Sequence, residues 1–129
     1  GDRGWESRIT FMSGKKRGMS MRLSELEKLD GIRRIEGDGA DHEISHVYIS
    51  DLLSRVMAHL DEKTLWLTVQ NQVNAIAVAE LADCPAIVFV EGAIPSEEML
   101  RRARENAITL YTYQGEAYEL AAWLVKAGL

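Results

Sequence analysis

The fold is decided by residues 46–95, which read HVYISDLLSRVMAHLDEKTLWLTVQNQVNAIAVAELADCPAIVFVEGAIP. Three times in this stretch, a short β-branched or aromatic run ends in polar residues and passes directly into a helix-like segment. The strand-like runs are residues 47–49, 65–69 and 87–90, and the helix-like segments are residues 52–60, residues 73–82 and a third that opens at Pro95-Ser96. Strands that alternate with helices of about ten residues are typical of βα units. The stretch therefore predicts an α/β fold with a mainly parallel central sheet.

The same alternation extends on both sides of this stretch. The pattern predicts a short strand over residues 32–35, a helix over 97–107, a further strand over 108–113 and a last helix over 117–127. Earlier in the chain, Ser24 followed three residues later by Glu27 forms a capping-box pattern, which predicts a short helix up to Leu29. We therefore expect a single three-layer α/β/α domain over residues 21–129.

Residues 1–20 differ from the rest of the chain in charge and in pattern. They carry five Lys/Arg against two Asp/Glu, which gives them a net charge of +3 and leaves −8 for residues 21–129. Because the basic run Lys15-Lys16-Arg17 lies between glycines with little apolar periodicity, we expect a flexible leader, part of which is foreign to the native protein. The acidic remainder argues against nucleic acid as a partner, since surfaces that bind nucleic acid are basic.

Length and composition place the chain among ordinary globular proteins. It has 129 residues, of which 47% are hydrophobic and 27% are charged, enough to bury a core. No apolar run approaches the roughly 20 residues that span a bilayer, and no signal-peptide pattern is present. Together with a single cysteine, Cys84, these features predict a cytoplasmic protein that has no membrane partner. Beside an apolar strand, Cys84 is expected to be a small buried side chain.

One catalytic pattern occurs in the sequence. Residues 42–46, HEISH, match the H-E-x-x-H motif of zinc proteases, whose chemistry requires both histidines on one face of a helix. Here the motif follows the breaker-rich Gly37-Asp38-Gly39 and runs into the strand at residues 47–49, so we expect a loop that enters a strand and no metal site. There is no G-x-S-x-G, no P-loop and no G-x-G-x-x-G after any strand. We therefore expect no catalytic residues and no cofactor.

A candidate ligand site follows from the geometry of the predicted sheet. In open α/β sheets, ligands bind beyond the carboxyl ends of the strands, where helix N-termini also present free N–H groups. Polar residues at these ends either contact a small polar ligand or simply cap helices and form turns. The residues that the pattern places there are Ser50, Asp51, Gln70, Asn71, Glu91, Gly92, Tyr113 and Gln114.

Four separated blocks of sequence occur in a distinctive order along the chain. They are VYISDLLSxVM from Val47, WxTVQ from Trp66, NxIAVA from Asn74 and GxxP from Gly92. Together they resemble the DRTGG domain family, in its small stand-alone members, and the resemblance extends over residues 21–129. It implies an α/β/α fold like the N-terminal domain of the bifunctional HPr kinase/phosphorylase.

The resemblance also implies a bacterial accessory module rather than an enzyme. Related domains accompany phosphotransacetylase and CBS-pair proteins, in which other domains carry the chemistry and this module has a regulatory or ligand-sensing role. The chain has no Asp-Arg-Thr-Gly-Gly string. By position, the first part of that string falls near residues 70–72 and its glycine pair at Glu91-Gly92. The resemblance therefore carries over a fold and not a ligand site.

These observations favour a non-catalytic, cytoplasmic regulatory module that binds a small polar ligand or a partner protein. The last predicted helix has more apolar surface than one sheet face needs, so it is either a fully packed terminal helix or a subunit interface. We expect a homodimer. One alternative is a small enzyme of phosphoryl or acyl-phosphate metabolism, with Asp51 or Glu91 as general base. Another is a purely structural dimeric scaffold.

Overall fold

The computed structural model describes residues 20–38 and 41–129 of the chain. The strands are β1 (Met21–Arg22), β2 (Ile32–Glu36), β3 (Glu43–Ile44), β4 (His46–Ile49), β5 (Thr64–Thr68), β6 (Ala86–Phe89) and β7 (Thr109–Tyr113). The helices are α1 (Leu23–Leu26), α2 (Leu53–His59), α3 (Asn74–Leu81), α4 (Glu97–Glu105) and α5 (Ala117–Lys126). The strands and helices predicted from β4 to β6 are confirmed to within one residue at each end.

Five of the strands form one sheet in the order β2-β7-β6-β5-β4. β4 to β7 are parallel to one another, with Trp66 opposite Ile87 in the β5–β6 register, and the predicted mainly parallel sheet is confirmed. β2 pairs antiparallel with β7, and a bulge lies between Arg34 and Glu36. β1 and β3 form a separate antiparallel ribbon of two strands. The main sheet is thus parallel except at the edge that β2 closes.

The sheet has a hydrophobic core on each of its faces. Successive residues of a strand point to opposite faces. Trp66 therefore packs with residues of α2, α3 and α4, whereas its neighbours Leu65 and Leu67 pack with residues of α1 and α5. Every residue of β5 and β6 is buried, as expected for parallel strands that are covered on both faces. The three-layer α/β/α architecture is confirmed.

The connections between strands determine where a crevice can form. Because the strand order advances in one direction from β4 to β7, α2, α3 and α4 all lie on the same face. After β7 the chain crosses to the other face, where Leu120 and Leu124 of α5 are buried. The connections that leave β6 and β7 therefore diverge to opposite faces. In α/β sheets, this divergence opens the crevice in which ligands bind.

The start of the domain differs from its prediction. The Asp41 carboxylate accepts hydrogen bonds from the Ser24 N–H at 3.1 Å and from the Ser24 hydroxyl at 3.2 Å. The Glu27 carboxylate accepts a hydrogen bond from the Tyr111 hydroxyl at 2.9 Å instead of one from the backbone at the start of the helix. The capping box predicted for this pair is therefore wrong, because both side chains have partners from distant parts of the chain.

The predicted flexible leader, residues 1–20, lies outside the described residues except for Ser20. The Ser20 hydroxyl donates to the Glu43 carboxylate at 2.7 Å. Among the helices that the structure describes, none has the length and apolar content needed to cross a bilayer.

Cys84 is buried, as predicted from its place beside an apolar strand. Its Sγ lies within hydrogen-bonding distance of two carbonyl oxygens, those of Thr64 at 3.3 Å and Ala86 at 3.4 Å. Burial raises the pKa of the Cys84 thiol to about 12. Because the thiolate is the reactive form, the side chain is a structural one at neutral pH.

An ion pair joins α4 to the edge strand β2. The Arg104 guanidinium donates to both carboxylate oxygens of Glu36, from Nε at 3.2 Å and from Nη2 at 2.9 Å. These hydrogen bonds hold the pKa of the Glu36 carboxyl below its ordinary value of 4.5. A carboxyl whose pKa is lowered by folding adds stability above its unfolded-state pKa and loses that contribution as the pH falls through its folded-state pKa.

We therefore expect the effect of Glu36→Gln on the free energy of unfolding to depend on pH. At neutral pH the variant should be less stable than the wild type, and well below the ordinary carboxyl pKa of 4.5 the two should converge. Urea unfolding followed by circular dichroism at both pH values measures this difference. Glu105→Gln is the control, since its partner Arg101 lies at 3.5 Å in a solvent-exposed pair. An equal loss of stability at both pH values would contradict the prediction.

Candidate functional site

The first group of predicted site residues lies where β4 and β5 end. Asp51 Oδ1 accepts hydrogen bonds from the Thr68 hydroxyl at 2.7 Å and from the Val69 N–H at 2.9 Å. The side-chain amide of Gln70 donates to the carbonyl oxygen of Asp51 at 3.0 Å. These polar groups tie the ends of the two strands to each other.

The other two residues of this group, Ser50 and Asn71, do not link the ends of β4 and β5 in this way. Ser50 Oγ accepts a hydrogen bond from the Leu52 N–H at 3.2 Å, just before α2 begins. Asn71 is exposed. For Ser50, Asp51 and Gln70 these bonds favour the interpretation that they cap and form turns, and ligand binding at this end of the sheet stays a prediction.

The second group of predicted site residues lies where β6 and β7 end. The Glu91 N–H donates to the carbonyl of Gly115 at 2.8 Å, and the Gly92 N–H donates to that of Tyr113 at 3.1 Å. Gly92 has a left-handed φ of 73°, and a Cβ at this position would approach Gln114 Oε1 at 3.1 Å. The left-handed φ explains why glycine is favoured there. The loop after β6 is therefore fastened to the end of β7 and to the turn that follows it.

A groove of about 600 Å³ opens beside these fastened segments. This volume lies within the range of small-molecule sites, about 300–1,000 Å³. We call it the rim groove, and two of the predicted site residues, Gly92 and Gln114, line it. The full lining comes from β2, β7, α4 and the loop after β6: Arg33, Arg34, Ile35, Gly92, Ile94, Pro95, Leu100, Thr112 and Gln114.

Arg33 of β2 gives the rim groove its positive charge, whereas the side chain of its neighbour Arg34 lies on the opposite face of the sheet. Arg34 Nη1 lies 3.8 Å from the Glu27 carboxylate. Arg33 stands opposite Thr112 in the β2–β7 register, and it forms no ion pair with any of the described residues. The groove therefore presents positive charge within a domain whose net charge is negative.

A solved structure that is similar to this chain comes from a bacterial enzyme. It is the crystal structure of the CBS and DRTGG domains of the regulatory region of Clostridium perfringens pyrophosphatase, complexed with the activator diadenosine tetraphosphate. The two superpose with a TM-score of 0.63 at 13% sequence identity. The fold is DRTGG-like. The match covers 74% of this chain and 42% of that one, so the chain spans less than half the length of its structural neighbour.

The sequence comparisons give no further match. No family model matches the chain, and no curated protein matches its sequence. The likeness to the DRTGG domain is therefore a likeness of fold, which confirms the architecture that the four sequence blocks imply.

The H-E-x-x-H match of this DRTGG-like domain does not lie on a helix. Glu43 belongs to β3, His46 begins β4, and the backbone between them is extended or irregular. The entry into a strand is confirmed, but Glu43 and Ile44 form the short strand β3 where a loop was predicted. Among the described residues, no three His, Cys, Asp or Glu side chains are placed to share a metal ion. The stretch lacks the helical face on which zinc-protease chemistry depends.

Most of the residues that line the rim groove were not predicted from the sequence. Arg33 belongs to a strand that runs against the others, and Leu100 belongs to the middle of α4. Ile94 lies in the loop after β6 and is 75% exposed. One signal was available in the sequence, because two consecutive arginines interrupt the apolar pattern of β2 at Arg33-Arg34.

Proposed function

We propose that this DRTGG-like domain is a non-catalytic, cytoplasmic regulatory module that binds a small ligand in the rim groove. The observation that carries the proposal is the divergence of the connections after β6 and β7, because the rim groove opens beside that point. Gly92 keeps the backbone close to the groove without a side chain in the way, and Gln114 supplies a polar group. A preformed concave site of this kind is where a small molecule binds.

The structural neighbour supports the regulatory part of the proposal. That protein is the regulatory region of a pyrophosphatase, and it is complexed with an activator. A domain of the same fold is thus part of a chain region that controls an enzyme rather than performing its reaction. By analogy of fold, this chain controls a partner protein or an attached domain in response to its ligand.

We also propose that the chain forms a homodimer through α5. In α5, Leu120 and Leu124 are buried, whereas Tyr118 and Val125 are exposed, Tyr118 by 79%. Because residues seven positions apart lie on the same side of a helix, the two exposed side chains form one apolar stripe that a second copy would cover. Sedimentation velocity on the chain tests this expectation.

The alternative of a small enzyme required Asp51 or Glu91 as general base. Asp51 Oδ1 already accepts two hydrogen bonds from β5 and the residue after it, and Glu91 is exposed. A general base needs a pKa adjusted by burial or by a neighbouring charge. The contacts of Asp51 favour a structural role, so regulation is the better-supported proposal.

We expect Ile94→Ser to weaken ligand binding about tenfold while leaving the fold intact, since covering an isoleucine side chain is worth roughly 1.4 kcal/mol or more. The measurement is a small-molecule screen by ¹H–¹⁵N correlation spectroscopy, followed by titration of the hits against wild type and variant. Amide shifts should concentrate at Gly92, Thr112 and Gln114.

Leu81→Ser is the matched control, because Leu81 is also 75% exposed but lies at the end of α3. It should leave the affinity unchanged. Hits whose amide shifts concentrate at Asp51 and Gln70 would show that the ligand binds where β4 and β5 end, and not in the rim groove. A screen without hits would contradict the proposal.

A further inference from the structure

We infer that the rim groove binds a phosphate monoester joined to a ring, a ligand of the size of a nucleoside monophosphate, and that Arg33 contacts its phosphate. The inference rests on the proposed function, because it names the ligand class of the same site. It is carried by the charge of the groove, by the side chains that line it and by its volume.

Arg33 is the residue placed to bind an anion. It lies on the edge strand β2 and lines the groove. Among the residues that the structure describes, no carboxylate pairs with it, whereas Arg34 already lies 3.8 Å from Glu27. A guanidinium that has no internal carboxylate partner can donate two parallel hydrogen bonds to a phosphate. A phosphate monoester carries a charge of about −1.5 to −2 at neutral pH, which favours it over a singly charged carboxylate.

The start of α4 is a less suitable place for the phosphate. Ser96 Oγ already accepts a hydrogen bond from the Met99 N–H at 3.2 Å. Glu97 and Glu98 occupy the first turn of α4, where their carboxylates complement the positive end of the helix and repel an added anion. The phosphate is therefore assigned to Arg33 on β2, and the rest of the ligand lies toward α4.

The remaining lining suits a ring with polar edges. Ile94 and Leu100 supply apolar surface that a ring can cover, and Ile94 is 75% exposed without it. Thr112 supplies a hydroxyl, and Gln114 supplies an amide that can both donate and accept hydrogen bonds. The groove volume of about 600 Å³ accommodates a ligand of this size.

Isothermal titration calorimetry on the full chain tests the inference with nucleoside 5′-monophosphates, their parent nucleosides and inorganic phosphate. We expect a monophosphate to bind about tenfold or more tightly than its nucleoside, because hydrogen bonds to charged groups are the stronger ones. Arg33→Gln should abolish this difference in affinity between monophosphate and nucleoside. Its affinity for the nucleoside should stay within about twofold of the wild-type value. Arg33→Lys should retain part of the difference, since it keeps the charge but not the paired donors. Added salt should reduce the advantage in the wild type.

Arg55→Gln is the matched control, because Arg55 is an exposed arginine on α2, at the opposite edge of the sheet. It should keep the full advantage. Equal binding of nucleoside and monophosphate would overturn the inference, and so would a phosphate advantage that survives Arg33→Gln. Binding of phosphate-free compounds alone in the rim groove would overturn the ligand class and leave the proposed function standing. Absence of any ligand would remove both.

Discussion

Trp66→Ala should lower the free energy of unfolding by about 3–5 kcal/mol, the range for removing a large buried aromatic side chain. Trp66 is fully buried in β5 and packs against the core formed with α2, α3 and α4. Its indole Nε1–H donates to the carbonyl of Ser50 at 2.9 Å, so the variant also leaves a carbonyl without its partner. Since a domain is stable by about 5–15 kcal/mol in all, a large share of the stability is lost. Urea unfolding followed by circular dichroism measures it.

Two further variants divide this effect into its parts. Trp66→Phe keeps most of the packing and loses the indole hydrogen bond, so it should cost about 1–2 kcal/mol. Leu81→Ala removes an apolar side chain that is 75% exposed, and its effect should stay within about 0.5 kcal/mol. If Trp66→Ala were no more destabilising than Leu81→Ala, the two-sided packing of β5 would be wrong.

Asp51→Ala should lower the free energy of unfolding by about 2 kcal/mol, in the range for losing hydrogen bonds to a charged group. The Asp51 carboxylate holds the Thr68 hydroxyl at 2.7 Å and the Val69 N–H at 2.9 Å. Thr68 is buried, so its hydroxyl cannot turn to water instead. Asp51→Asn keeps one acceptor oxygen and should cost less. Thermal and urea unfolding of both variants provide the measurement.

Glu62→Ala is the control for Asp51, because Glu62 is an exposed carboxylate in the turn between α2 and β5. It should change stability by less than about 0.5 kcal/mol. The same variants test the enzyme alternative. A reaction of the wild-type chain that disappears in Asp51→Asn, without loss of stability, would replace the structural role of Asp51 with a catalytic one.

The fold could be predicted from the sequence because its signal is local. The run at residues 65–67 is apolar on both of its faces, which is typical of a strand covered by two helical layers, and β5 is such a strand. The direction of β2 could not be predicted, since the side-chain pattern of a strand is the same in either orientation. The ribbon of β1 and β3 was also missed, because strands of two residues carry no periodicity.

The candidate site could be predicted only in part. The rule that ligands bind at the carboxyl ends of strands found Gly92 and Gln114, which both line the rim groove. It could not find Arg33, because β2 reaches this end of the sheet by running in the opposite direction. Nor could it separate Asp51 from the residues that line the groove, since the sequence does not show which side chains bond to each other. Such partners depend on strand order, which is a property of the folded chain.

Two backbone hydrogen bonds join the loop after β6 to the last residue of β7 and to the turn that follows it, and they have a mechanical consequence. The first of these segments leads into α4 on one face, and the second leads into α5 on the opposite face. A molecule that displaces either segment must break these bonds or move both helices together. A movement of either segment would therefore shift outer surfaces on both faces of the domain together.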